Sequence, residues 1–513
     1  MGVALKQMGA EMRRRAASYD AAKAKGLAAA EADAALYWFC VAATVAWLHH
    51  FDRWCDPELD AAVERLAFGL RPAPGRVEPD GDTLVHLTST TLDGGGHVEV
   101  LMVWCGLVGA AVVSTEWDDP ARSRHKGRIE PPLPVRACPR GLRPAERALW
   151  IFERLAEARP RRLVLHLNPN DVLALAACLL YRRASGAELI FYDHADTYFW
   201  LGASLADRLI EYRPVGAAVA REKRGVAAEK ISFVPPTSRS RHSPDVARAA
   251  LGVPDGATVS LTVAAYYKTR PDGHWDYART VSRVLAAHPR HHHLLVGHGP
   301  PADEEALREG LPEGRARLLG KRTDVDALLR AADLVIESFP LMGGVFRLDA
   351  LREGRPVVAV SHPVWPLIFD TGAFPDGYPF VASSNEEVER MSAALIGDAA
   401  LRAETGARLR ARFEERFSHA AVARALEEAL AGRPFEGAPA GPLEYDPARF
   451  THLLSPARLN ALAVEVMVAA DLGYAPPLGL AGRFNYYAGY AREALKARLG
   501  RLRKGKRRVD SSQ

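Results

Sequence analysis

ESFPLMGGVFRLDALREGRPVVAV, residues 337–360, reads as a strand end, a Gly-Gly turn, a short helix and a second apolar strand. The preceding Ala332-Asp333-Leu334-Val335-Ile336 supplies the first strand, and Arg355-Pro356-Val357-Val358-Ala359-Val360 restarts the sheet. Gly343 and Gly344 stand where the chain must turn and where backbone N–H groups can approach a ligand. Asp349 lies on the helix that follows. A glycine turn feeding a helix N-terminus suits phosphate, and a nearby carboxylate suits ribose hydroxyls.

Outward from this segment, strands and helices alternate. Strands are expected near 83–89, 109–114, 162–167, 188–192, 215–218 and 231–234, with a helix over 170–181. After a Pro- and Ser-rich break at 235–244 the pattern begins again, with strands near 258–264, 293–296, 316–319, 334–336 and 356–360. Such alternation predicts an α/β chain with two parallel, Rossmann-like sheets. The expected division is a helical extension at 1–75, a first Rossmann-like domain at 83–240, a second at 251–430, and a helical extension at 440–513 ending in the basic KARLGRLRKGKRRVDSSQ. That tail is either a solvated end or a contact for nucleic acid or an anionic membrane surface, where each cation contributes roughly 1 kcal/mol.

Bulk properties exclude several classes. A net charge of +5 over 513 residues does not imply nucleic acid. Five scattered cysteines (Cys40, Cys55, Cys105, Cys138, Cys178), none in a C-x-x-C pair, argue for a reducing compartment and against a disulfide framework or zinc site. The longest apolar run, 35–48, falls short of the ~20 residues that span a bilayer. A cytoplasmic protein is expected, with peripheral contact at the inner membrane face left open by the tail.

Segment 337–360 resembles the nucleotide-sugar site of GT-B-fold glycosyltransferases, roughly F-P-x-x-G-G-x-x-x-[LM]-[DE]-A-[LM]-x-x-G-x-P-V-V. With Asp349 it looks closest to the O-GlcNAc-transferase-like branch of the group 1 enzymes. The resemblance covers roughly 83–430 and implies two domains facing a cleft, a UDP-sugar or related donor as co-substrate, no further cofactor, and a protein or glycan acceptor. It implies that Lys268, in AAYYKTRP, holds the diphosphate, with Arg270 as a second candidate, and that Gly343, Gly344 and Asp349 complete the donor site. The branch places a His-Thr-Thr stretch on the phosphates, whereas this chain has Gly344-Val345-Phe346, so backbone donors would carry the contact. Retaining relatives carry a Glu eight residues before the ribose carboxylate. Here that position is Leu341, which favours inversion.

A base for the acceptor is sought in the first domain. His97, in LDGGGHVEV, follows three glycines at a strand-to-helix turn, and a neutral imidazole suits the task; acceptor or phosphate contact and structural capping are its other readings. Asp193-His194 follows the strand at 188–192, at the end that faces the ligand crevice in open α/β sheets. There His194 would be the base and Asp193 its orienting partner, or Asp193 and Asp196 would cap a helix with Trp200 in the core. Val296-Gly297-His298-Gly299-Pro300 is a structural turn, and His291 to His293 a strand start with poor chelating geometry. Asp324-Val325-Asp326 opens a helix, so no metal is expected. The rivals are a nucleotide-sugar epimerase of the same shape and a catalytically silent nucleotide-sugar-binding scaffold.

Overall fold

The computed structural model describes residues 2–90, 96–108, 111–115, 135–139, 141–238, 243–362, 372–437, 443–455 and 457–476, with backbone only at 2–5, 96–97, 99 and 135. The basic tail and Gly94 and Gly95 lie outside the described residues.

The strands are β1 (Leu84–Thr88), β2 (Ala111–Ser114), β3 (Val135–Ala137), β4 (Arg162–His166), β5 (Glu188–Tyr192), β6 (Arg208–Glu211), β7 (Ile231–Phe233), β8 (Thr258–Val263), β9 (His291–Val296), β10 (Ala316–Gly320), β11 (Leu334–Ile336), β12 (Val357–Val360) and β13 (Val381–Ala382). The chain folds into two compact units. One comprises Gly2–Asp93, Ala110–Asp207 and Pro447–Gln513; the other comprises Gly94–Gly109 and Arg208–Asp446.

In the first of these, parallel strands run in the order β3-β2-β1-β4-β5. The centres of β2, β4 and β5 are apolar runs, as a sheet buried on both faces favours, while β1 carries the buried His86 at its centre. Helix Ala32–Leu48 is buried on nearly every side, from Tyr37 and Phe39 to Val45, which explains its lack of a polar face. Asp171 caps helix Val172–Ser185 through the Ala174 amide at 3.0 Å. The same buried carboxylate accepts from Ser89 and Thr115 at 2.6 and 2.7 Å, tying the ends of β1 and β2 to that helix.

The two terminal extensions meet in this unit. Arg15, fully buried on helix Gly2–Ala28, donates to the carbonyls of His50, Ser455 and Ala457 at 2.9, 2.8 and 2.6 Å. Glu11 on the same helix accepts from the Leu459 amide at 2.6 Å. The C-terminal helices Pro447–Leu454 and Ala461–Leu472 are thereby part of one helical block with the N-terminal helices.

The second unit holds the six-stranded parallel sheet β10-β9-β8-β11-β12-β13, with β6 paired to β7. One expected strand is wrong: 215–218 lies inside helix Pro214–Glu222, and the strand is β6, just before it. Pro214 at the first helical position and the Ala-rich run explain the helix. The short apolar stretch did not distinguish the two by periodicity. Strand β9 begins at His291, so the histidine triplet is its start. His291 and His293 form a buried ladder with β8: Thr258 to His291 at 2.8 Å, His291 to Ser260 at 2.9 Å, Ser260 to His293 at 2.8 Å, and His293 to Tyr277 at 2.8 Å.

Candidate functional site

Strands β8 and β11 are neighbours, so the loops after them lie side by side at one edge of the sheet. After β8 the chain makes a single 3-10 turn, Tyr266–Thr269, which carries Lys268. After β11 it runs through Glu337 to Met342 and enters helix Gly344–Arg352 at Gly343. The two loops bond directly: the Leu341 amide donates to the Lys268 carbonyl at 3.2 Å, and Lys268 Nζ donates to the Met342 carbonyl at 2.9 Å. Sequence positions 268 and 343 thus come together.

Gly343 is favoured by close approach, since a Cβ there would lie 3.0 Å from the Val263 carbonyl oxygen. Gly344 is exposed, and among the described residues no atom lies within 4 Å of where its Cβ would be. The start of the helix is therefore not covered there by any described residue, and a helix start carries amide donors and partial positive charge. Half-buried Lys268 adds a cation. Burial pulls its pKa down and Glu337 pulls it partly back. Among the described residues Lys268 makes no ion pair.

The other donor candidates are distributed. Asp349 is half-buried on the helix and accepts from Arg352 Nη1 at 3.2 Å. Arg352 in turn binds Asp326 and Ser238, each at 2.7 Å. Arg270 pairs with both Asp303 oxygens at 2.7 and 2.8 Å, so it sits with helix Pro301–Gly310 rather than on the Lys268–Gly343 turn. Gly297 and Gly299 have the expected structural role: a Cβ on Gly297 would lie 1.8 Å from the Ala264 carbonyl oxygen, and one on Gly299 would lie 2.8 Å from Tyr266 Cβ. Asp324 precedes helix Val325–Ala331 without capping it by its side chain, which instead pairs with Arg322. Among the described residues no cluster of three His, Cys, Asp or Glu is placed to hold a metal.

His97 is the second residue of helix Gly96–Val108, which packs with helix His419–Leu430 in the second unit; its side chain lies outside the described residues. Asp193 and His194 belong to the first unit. The carboxylate of Asp193 accepts from the Ala195 amide at 3.2 Å in a turn, not at a helix start. Half-buried His194 packs edge-on to Trp200, which is in the core.

One pair escaped the sequence reading. His362, just past β12, is buried, with Nε2 3.0 Å from Asp272 Oδ2. Burial raises the Asp272 carboxyl, but hydrogen bonds from His362 and the Trp275 and His274 amides outweigh it and hold its pKa low. The two residues are 90 positions apart, and no local pattern joins them.

Residues 257–397 match the family model "Glycosyl transferases group 1". No curated protein matches the chain. Among solved structures, Anabaena Alr3699/HepE, crystallised with UDP and glucose, superposes with a TM-score of 0.53 at 16% identity, over 68% of this chain and 100% of that one. A glycosyltransferase from Rickettsia africae ESF-5 gives 0.53 at 13% identity, over 68% and 98%. A mutant of the Thermobaculum terrenum O-GlcNAc transferase gives 0.48 at 15%, over 82% and 78%. The chain has the GT-B fold, and its residues 257–397 are similar to the group 1 glycosyltransferases.

Proposed function

We propose that this protein is a glycosyltransferase that moves a sugar from a nucleotide-sugar donor, a UDP-sugar, to a hydroxyl or amide acceptor, with inversion and without a metal. The observation that carries the reading is the juxtaposition of Lys268 with the open N-terminus of helix Gly344–Arg352. Charge develops on the diphosphate as the glycosidic bond to it breaks, and a lysine with preorganised amide donors stabilises that charge. UDP is the nucleotide found with HepE, a protein of the same fold. Asp349 would hold the ribose. The acceptor oxygen or nitrogen attacks the anomeric carbon, the bonding pair leaves with the diphosphate, and the acceptor proton passes to His97 or His194.

Inversion rests on Leu341 standing where retaining relatives carry a Glu. Independence from metal rests on a donor site that answers phosphate charge with Lys268 and amides. A protein or glycan is the acceptor class, and the five free cysteines fit a reducing, cytoplasmic setting. No helix among the described residues is long and apolar enough to cross a membrane.

The test is calorimetry and thermal shift of the purified protein against UDP, GDP, TDP and their common sugar conjugates, repeated on Lys268→Ala and Asp349→Ala. Binding of UDP and a UDP-sugar, weakened in both variants, is the expected result. Absence of binding to every nucleotide would sink the transferase reading.

A further inference from the structure

The candidate donor site contains a carboxylate that works against it. Glu337 directly follows β11, and its charge acts on Lys268. A buried carboxylate free to pair with Lys268 would satisfy the ammonium internally and leave little charge for an anionic ligand. That pairing is not made. Arg347 takes both oxygens of Glu337, Nε to Oε1 at 2.8 Å and Nη2 to Oε2 at 2.9 Å, with both side chains 4% exposed. The same guanidinium lies 3.2 Å from Met342 Sδ and stacks over the Phe374 ring at 4.8 Å. Lys268 is left bonded to a neutral group, the Met342 carbonyl.

The fork geometry also constrains the backbone. Glu337 stands at the strand end and Arg347 in the first turn of helix Gly344–Arg352, so their two parallel bonds close the intervening loop. Ser338 Oγ donates to the Leu341 carbonyl at 2.8 Å within that loop. Gly344, Val345 and Phe346 offer only amides to a phosphate, so where the helix begins decides how well they bind it.

Resting on the donor-site reading above, we infer that Arg347 is a positioning residue of this site. By engaging Glu337 it keeps the charge of Lys268 available to the donor diphosphate, and it holds the first turn of the helix in place. Arg347 itself touches no donor atom in this role. It acts through Glu337 and Lys268.

The experiment has two readouts on the full chain. One is the titration of Lys268 by NMR of 13C-methylated lysines, assigned with Lys268→Arg. The other is UDP affinity by calorimetry. Arg347→Met is expected to raise the Lys268 pKa by about one unit or more, as a released carboxylate partner does. It is expected to weaken UDP at least tenfold, about 1.4 kcal/mol. The double variant Arg347→Met/Glu337→Gln removes the competing carboxylate, so the titration returns to its wild-type position and most UDP affinity is recovered. A merely structural arginine would not be rescued by a second loss of hydrogen bonds. A Lys268 titration unmoved by Arg347→Met, or a folded double variant as weak as the single one, would overturn the inference. If Arg347→Met does not fold, the double variant decides by the same criteria. Wild-type protein that binds no UDP removes the donor reading instead, and the Lys268 titration then decides the charge relationship by itself.

Discussion

Lys268 Nζ rests 2.9 Å from the carbonyl of Met342, which joins the loop after β8 to the loop after β11 across adjacent strands. A half-buried ammonium bonded to a carbonyl, with no carboxylate pair among the described residues, is a cation held ready for an anion. Lys268→Ala is expected to weaken UDP by two orders of magnitude, on the scale of about 2–5 kcal/mol for losing one partner of a desolvated charge interaction. Uridine, which lacks the diphosphate, should bind both proteins alike in calorimetry. Equal loss for uridine and UDP would show a collapsed site rather than a lost phosphate contact.

Gly344 separates folding from binding. Its Cβ position is open, unlike that of Gly343, so Gly344→Ala is expected to leave the melting temperature within about 2 °C of wild type. UDP affinity should nevertheless fall several-fold, because the new methyl occupies the space in front of the helix amides. Gly343→Ala, pressed against the Val263 carbonyl, should lower the melting temperature as well.

Gly297→Ala tests the turn after β9. A methyl 1.8 Å from the Ala264 carbonyl oxygen forces two backbones apart, and overpacking of this kind costs about 1–3 kcal/mol or more. Urea denaturation should show the loss. Unchanged stability would mean the turn relaxes freely.

Arg15 is expected to be indispensable to the helical block of the first unit. Arg15→Met would leave the carbonyls of His50, Ser455 and Ala457 without this donor and would free Glu11 of its buried partner. A cost of about 3–5 kcal/mol is expected for breaking a buried charge interaction. Limited proteolysis should cut first within 447–476. Protection equal to wild type would contradict the arrangement.

Stability should fall as pH drops below about 6.5. Burial pushes His86, His291 and His293 down to about 3, and His49 and His50 down to about 4. These imidazoles are neutral in the fold but protonate in the unfolded chain, which therefore binds more protons at mildly acidic pH. Each contributes a slope of about 1.4 kcal/mol per pH unit. Asp60, raised by burial to about 6, and Asp171 and Glu465, also raised by burial, work the other way, but they are three groups against five. Denaturation midpoints at pH 7.5 and 5.5 check the sign, and a flat profile would refute it.

The local sequence by itself determined where most backbone segments run. Apolar stretches such as 188–192 and 334–336 became β5 and β11 because a strand buried on both faces needs only a short run of large side chains. Gly343 was legible as a turn residue between a strand and a helix, while its close approach to Val263 came only with the tertiary structure. Where the local signal was ambiguous it failed: Val215 to Ala218 suits helix or strand, and Pro214 with the surrounding alanines settled the helix. Tertiary structure alone decided which charges meet. Glu337 and Arg347 pair because a strand and a helix fold back on each other, Asp272 and His362 because two loops share a sheet edge, and Arg15 and Ser455 because the chain returns after 440 residues. Side-chain pairing over such separations depends on strand order and helix placement, which the whole core fixes together. Residue type and spacing in the sequence carry no trace of it.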